Sequence, residues 1–571
     1  MEQPNYWQRL ARKRMTRRDL LAAGGVTALG GAAALIVGCG SGGNGGNGNG
    51  ATRTPRTPGP AGSPTAGGTI TIGRSFNVSG IDPHIDLTGL DIDSLIYSYL
   101  YGWNPIKETP MFNNLAATFE QPDPEHLEFI LTLKPGFIIH PNGPGAGEEM
   151  TSHDCKASFI RRGTSITAPD KRYPKRIGKD AAAMDAALKT PDLRTLSFTL
   201  SRPFVPAIRE MANATWAMVP EKVIDKYLSL SQKGFGSGPF MLEEFRGSER
   251  VVLKRHPNYV LTPRPWMDQI NYIIITENSS LLAAFESGQH DVNGAFLRKD
   301  DAEELTDRGD FVVTKTPSLF YPVIHMKMKP PFDDLRVRKA IDLALDRDEF
   351  IAGLQDGEGN YNGPIQWPQF QWSLPQDELR AFYKPNPEQA KQLLADAGYP
   401  EGFDAKMKLP KLTGVNIISD TASVIKDQLK RVGINLALDE VELGAFIGSV
   451  LLSGNFEMVF FPNLPYDEPD RPLSFYHSLG VTGAGNWTNY NNPELDKLIN
   501  AQAEEFDFEK RKKIIFDAQR MILNEHGPQL TITGGNGYTA HWNYVHFPFE
   551  QGEEPPANVA PFGVDIWTEK S

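Results

Sequence analysis

Residues 41–68 read SGGNGGNGNGATRTPRTPGPAGSPTAGG, a stretch with almost no apolar side chain. Such a segment cannot bury enough surface to offset the entropy of ordering it, so it behaves as a tether. Folding is therefore confined to the chain beyond it, from Gly67 or Gly68 to Ser571. Those roughly 500 residues exceed what one hydrophobic core normally serves and predict two or more lobes. Gly43, Gly45 and Gly48 have the spacing GxGxxG, but no strand precedes them and no helix succeeds them, which sets a dinucleotide loop aside.

Ahead of the tether, Arg9, Arg12, Lys13, Arg14, Arg17 and Arg18 lead into an Ala/Gly/Leu core, the pattern of a secretory signal. The run TRRDLL (16–21) resembles a twin-arginine signal, although Asp19 and Leu21 depart from it, and the general secretory route is the alternative. Ile36, Val37, Gly38 and Cys39 fit the bacterial lipobox, which predicts cleavage before Cys39 and diacylation of its thiol. Residues 1–38 are then the signal and 39–67 the tether. An uncleaved membrane helix competes with this reading, since about 18 apolar residues can span a bilayer. Gly24, Gly25, Gly30 and Gly31 weaken such a helix, each by about 1 kcal/mol relative to Ala. Two acyl chains hold a protein on a membrane where one is marginal.

The whole chain carries a net charge of −12. Its first 38 residues hold six basic and two acidic side chains, so the remainder carries −16. That sign disfavours nucleic acid as a partner. With Cys39 lipidated, Cys155 has no thiol left to pair with, and no intramolecular disulfide is expected.

Period-two alternation predicts strands at Thr69–Gly73, Leu127–Leu133, Leu196–Leu200, Arg250–Lys254 and Ile270–Thr276. The stripe Leu335, Val337, Ala340, Ile341, Ala344 and Leu345 predicts one helix over Asp333–Leu354. Asn386 before Pro387 is a helix-start pair, with Gly398 as the stop. A further helix over Thr421–Val432 ends at Gly433 and leads into alternating Ile434, Leu436 and Leu438, a helix-to-strand unit of α/β lobes. Asn492–Pro493 starts another helix, and Phe508–Leu523 is the last.

Three runs then carry a resemblance: PPFDDLRVRKAIDLALDRDEFI (330–351), NPEQAKQLLADAGYPEGF (386–403) and IKDQLKRVGINLALDEVEL (425–443). So do GGTITIG (67–73), LTLKPGFIIHPNG (131–143), GSGPFMLEEF (236–245) and FESGQHDV (285–292). Together and in this order they resemble the peptide- and nickel-binding lipoproteins of bacterial ABC importers, solute-binding family five. The resemblance implies an α/β, two-lobed, hinged periplasmic-binding-protein-like fold with an extra subdomain in the first lobe. Lobe I would comprise 68–90, 235–322 and 535–571, the inserted subdomain 91–234 and lobe II 323–534. It also implies a lipid-anchored extracytoplasmic monomer that closes on a peptide or other small solute near a hinge at Phe320 and Tyr321 and delivers it to a membrane permease.

Peptide-binding relatives hold the ligand's amino group with an aspartate four residues before the proline of a D/E-P pair. Here that pair is Glu468 and Pro469, and the corresponding position is Pro465. Asp467 is the candidate substitute, with Asp470 behind it, and the departure puts a free α-amino ligand in question. By the same match Phe76, Asn77, Tyr466, Trp487 and Tyr490 line the cleft, although Phe76 could equally pack in a core. Trp367 and Trp372 fall where relatives carry a long loop over the ligand, with packing as the alternative.

No HExxH, GxSxG or Walker loop occurs. The pairs His140/His153 and His541/His546 lack helical metal spacing, so neither a metal, a cofactor nor a catalytic residue is expected. A secreted hydrolase or a lipoprotein chaperone on the same lobes is the competing class, and a solute-sensing receptor is the third.

Overall fold

The computed structural model describes residues 64–569, apart from 87, 105–108, 112–113, 124, 166–171, 318–321, 367–369, 412–416, 463–467, 480–485 and 548–563. The predicted signal, Cys39, Phe320, Tyr321, Trp367, Pro465, Tyr466 and Asp467 lie outside the described residues.

Strand β1 (Thr69–Arg74) opens the fold, and helix α1 (Leu90–Ile96) begins a long excursion. This excursion contains β2 (Ala116–Glu120), β3 (Glu128–Leu133), helix α2 (Ser152–Thr164), β4 (Lys189–Asp192) and β5 (Thr195–Thr199), which form a four-stranded sheet with α2 packed on it. Thr151 and Asp154 close a reciprocal capping box at the start of α2. On the buried face of α2, Cys155 is a free thiol in the same core as Phe159.

The chain returns in β6 (Phe240–Arg246), β7 (Arg250–Arg255) and β8 (Gln269–Ile274), with β8 parallel to β1. After helix α3 (Asn278–Glu286), an extended segment lies on the other side of β1, where Ile72 pairs in parallel with Val292. The approach is close enough that a Cβ on Gly294 would stand 1.9 Å from the Gly73 carbonyl oxygen, so only glycine fits. Helix α4 (Lys299–Arg308) and β9 (Phe311–Pro317) come next.

The second sheet takes in β10 (Val323–Met326), β11 (Phe403–Lys411), β12 (Ile434–Glu442), β13 (Met458–Phe460) and β14 (Gln529–Thr531), in the order β12-β11-β13-β10-β14. Its helices include α5 (Leu335–Ala344), α6 (Arg347–Leu354), α7 (Pro387–Asp396), α8 (Ile417–Lys430), α9 (Pro493–Glu504) and α10 (Phe508–Asn524). Strand β15 (Asn536–Trp542) then rejoins the first sheet, antiparallel to β9 and, through His541, to Val292. The chain thus builds two sheet-centred lobes and passes between them after β9 and before β15.

Several predicted elements appear within a residue or two of their expected ends. Asn386 caps α7 by accepting the Gln389 N–H, Asn492 caps α9, and Gly433, at φ 93°, turns α8 into β12. The expected helix over Asp333–Leu354 is instead two helices. Leu345 is extended and Asp346 accepts the Asp348 N–H, restarting the chain as α6. The break places the guanidinium of Arg347 in the interior, 3.7 Å from the Tyr383 ring centroid and 2.6 Å from an Asp342 carboxylate oxygen. Tertiary burial of one cation decides the geometry here over helical periodicity.

The excursion also touches the second lobe. The Val205 N–H donates to the Ala503 carbonyl at 2.9 Å, and Ala503, in α9, is fully buried in the core of the inserted sheet. Arg202 lies 3.5 Å from the Glu504 carboxylate, and the His126 and Phe506 rings stack with centroids 4.1 Å apart.

Candidate ligand-binding site

The topology decides which edges of the two sheets meet. In lobe I, β1, the Val292 segment and β9 all run toward the edge from which the chain leaves after Pro317. In lobe II, β10 starts at the crossover and β13 and β14 run antiparallel to it, back toward lobe I. Strands β11 and β12 share the direction of β13. The carboxyl edges of both sheets therefore face the crossovers, where open α/β sheets hold ligands.

On the lobe I edge, Phe76 comes just after β1 and is 47% exposed, and Asn77 beside it is also exposed. The Arg74 guanidinium lies 4.4 Å from the Phe76 ring centroid. That guanidinium is itself fixed, with bonds of 2.7 and 2.5 Å to the Asp91 carboxylate and 2.8 Å to the Thr88 carbonyl. Phe296, which no sequence motif singles out, is 50% exposed between buried Ala295 and Leu297. Its backbone N–H donates to Asn278 Oδ1 at 2.7 Å, and its carbonyl accepts from Asn278 Nδ2 at 2.9 Å. Nothing in the local pattern separates Phe296 from core phenylalanines such as Phe285; only its pairing register with β1 does.

On the lobe II side, Trp487 is half-buried, its ring 5.7 Å from His325 and 5.4 Å from Phe475. Its carbonyl accepts from Lys327 Nζ at 2.7 Å, and its indole N–H finds no acceptor among the described residues. Burial holds the His325 imidazole down to about 4, while its Nε2–H donates to the Phe461 carbonyl. Burial, and then the charge of Lys329, also lowers Lys327.

Tyr490 is only 4% exposed and packs in the lobe II core, its hydroxyl donating to Glu525. Asn486 folds the loop to this end, accepting the Tyr490 N–H and donating to the Tyr490 carbonyl. The ring is thereby committed to packing rather than to the edge. Trp372 is buried against Phe508 in the same core. The acids just after residues 463–467 are likewise engaged. Glu468 pairs with Arg511, and Asp470 accepts from Gln502 Nε2.

Neither histidine pair gathers as a site. His140 bonds Gly238 and Gly236, and His546 bonds Glu569. Among the described residues no cluster of three or more His, Cys, Asp or Glu side chains is arranged to hold a metal ion.

Two carboxyl edges opposed across interlobe crossovers are the design of a hinged binding protein. Residues 113–486 match the family model of the bacterial extracellular solute-binding proteins, family 5 Middle, and the chain belongs to that family. It is 24% identical over 470 residues to the oligopeptide-binding protein AppA of Bacillus subtilis (strain 168), covering 77% of this chain and 81% of the relative. It is also 24% identical over 476 residues to the probable D,D-dipeptide-binding periplasmic protein DdpA of Escherichia coli (strain K12), covering 80% and 86%. The fold superposes on the binding protein AgaA of A.tumefacien R10 in complex with agropinic acid, with a TM-score of 0.75, 22% identity and coverage of 88% and 99%. Against the B. subtilis AppA complex with a nonapeptide the TM-score is 0.74, with 20% identity and coverage of 89% and 100%. These relatives are named for what they bind rather than for a reaction, in line with the lack of a catalytic motif.

Proposed function

We propose that this chain is the lipid-anchored, extracytoplasmic substrate-binding protein of an ABC importer, capturing a peptide or similar small solute between its lobes and delivering it to a membrane permease. The observation that carries the reading is the opposition of the two carboxyl edges, with Phe76 and Asn77 exposed on one of them. The named ligands of its relatives, oligopeptides, D,D-dipeptides and agropinic acid, support the solute class. Ligand touching both edges gains its full contact only when the lobes close, so binding draws the population toward the closed form. Diacylation at Cys39 and the tether would keep the receptor beside its permease and raise the effective concentration there.

Mass spectrometry of small molecules that co-purify with a chain beginning at Gly68, followed by calorimetry, tests capture. A retained solute that binds with micromolar or better affinity is expected, and a protein that retains and binds nothing refutes it. Incorporation of labelled palmitate into the full chain, abolished in Cys39→Ala, tests the anchor.

A further inference from the structure

We propose that Phe76 and Phe296 form a two-ring platform on lobe I, against which the captured solute lays a flat apolar face; the inference rests on the solute-binding reading above. Among the described residues these are the only exposed Phe, Tyr or Trp side chains. Both stand on the same edge. Ile72 bridges Val292 in parallel, and Phe76 and Phe296 each follow four residues after that bridge, Phe76 just past the end of β1. Each occurs where the chain turns the ring out while burying its neighbours, Ser75 before one and Ala295 and Leu297 around the other.

Exposed phenylalanine has a cost in water, and both positions are held rather than loose. Arg74, gripped by Asp91 and Thr88, lies against the Phe76 ring, and Asn278 clamps the backbone of Phe296 on both sides. A ring fixed before binding loses little conformational freedom when a ligand stacks on it. Of the charged groups near these edges, Arg74 is engaged by Asp91 and Glu468 by Arg511, while exposed Lys411 and Glu440 stand toward the carboxyl ends of β11 and β12. Two exposed rings stack against a planar or aliphatic surface, which an aromatic or branched peptide side chain or the C–H face of a sugar ring can present.

The test uses a chain beginning at Gly68, its Phe76→Ala, Phe296→Ala and Phe296→Tyr variants, and two defined probe pools. One is an equimolar set of Ala-Xaa-Ala tripeptides, the other a set of β-linked disaccharides; retained members are read by mass spectrometry and their affinities by calorimetry. The wild type should retain Phe, Tyr, Trp and Leu tripeptides over Ser and Asp ones, or else the disaccharides, and the pool that responds identifies the source of the apolar face. Each alanine variant should bind the retained members about tenfold more weakly, with an unchanged melting temperature because both rings are exposed, and Phe296→Tyr should restore binding. Retention of polar members with affinities indifferent to both alanine substitutions overturns the platform and leaves the solute-binding reading standing. No retention from either pool, together with no co-purifying solute, overturns both.

Discussion

Arg511 and Glu468 form an ion pair inside lobe II, each side chain only 6% exposed, with the guanidinium 5.2 Å from the Trp372 ring centroid. The pair joins the start of α10 to the chain just beyond residues 463–467. Taking away one partner leaves the other charged and buried, which costs about 3 to 5 kcal/mol. Glu468→Gln and Arg511→Met should each lower the urea-unfolding free energy by that order, and the double variant by less than their sum. Strict additivity in the cycle would show that the two groups do not interact.

Asp342 predicts an acid limit. Burial pushes its carboxyl up, but the charge of Arg347, the hydrogen bond from His526 and the hydrogen bond from Arg347 together bring it below its ordinary 3.8. A carboxyl depressed in the folded state stabilises above its unfolded value, and that contribution is lost as pH falls through the folded one. Thermal stability should therefore drop below about pH 4. Asp342→Asn should remove part of that acid dependence, and its own melting curve at pH 7 should lie below that of the wild type. A variant as stable as the wild type at pH 7 excludes the role.

Asp93 predicts the opposite slope. It is fully buried in α1, neither carboxylate oxygen has a hydrogen-bond partner among the described residues, and burial, followed by the charges of Asp91, Asp82 and Asp86, raises it well above 3.8. Folding favours the neutral form of this group, so its contribution is fully present below the unfolded value and is lost as pH rises past it. Asp93→Asn should be more stable than the wild type at pH 7.5 by more than about 1 kcal/mol, with the advantage vanishing near pH 4. Parallel stability curves for the two proteins across that range would contradict the buried neutral acid.

Glu358 predicts salt sensitivity between the lobes. It belongs to the lobe II loop after α6, yet it bonds Lys299 in α4 at 3.1 Å, Lys315 in β9 at 2.5 Å and the Asn536 side chain at 3.2 Å. The hydrogen bonds from Lys315 and then Lys299 hold its carboxyl down to about 2. These exposed charges are screened by ions. Glu358→Gln should shift the radius of gyration measured by small-angle scattering at low salt, and the wild type should move the same way as salt is raised. Identical profiles for both proteins at every salt concentration would deny the bridge any part in lobe orientation.

Elements with their own punctuation were legible in the chain: Asn386 before Pro387, Asn492 before Pro493, and Gly433 between a helical stripe and an alternating one. Their signals are local, so nothing distant had to be known. The break at Leu345 was not legible, because it comes from the burial of Arg347 against Asp342 and Tyr383, partners distant in the fold or hidden by periodicity. At the candidate site, the resemblance led to Phe76 and Asn77, which the structure exposes, and to Tyr490, which Asn486 turns into the core. Phe296 escaped because its exposure depends on register with β1, a strand far away along the chain.

The union of Val205 with Ala503 has a mechanical consequence. The resemblance assigns the excursion to lobe I, yet it meets the C-terminal end of α9 in lobe II, so the second sheet's helices are joined to it there as well as through the crossing strands. Moving the excursion away from α9 would expose Ala503 and part His126 from Phe506.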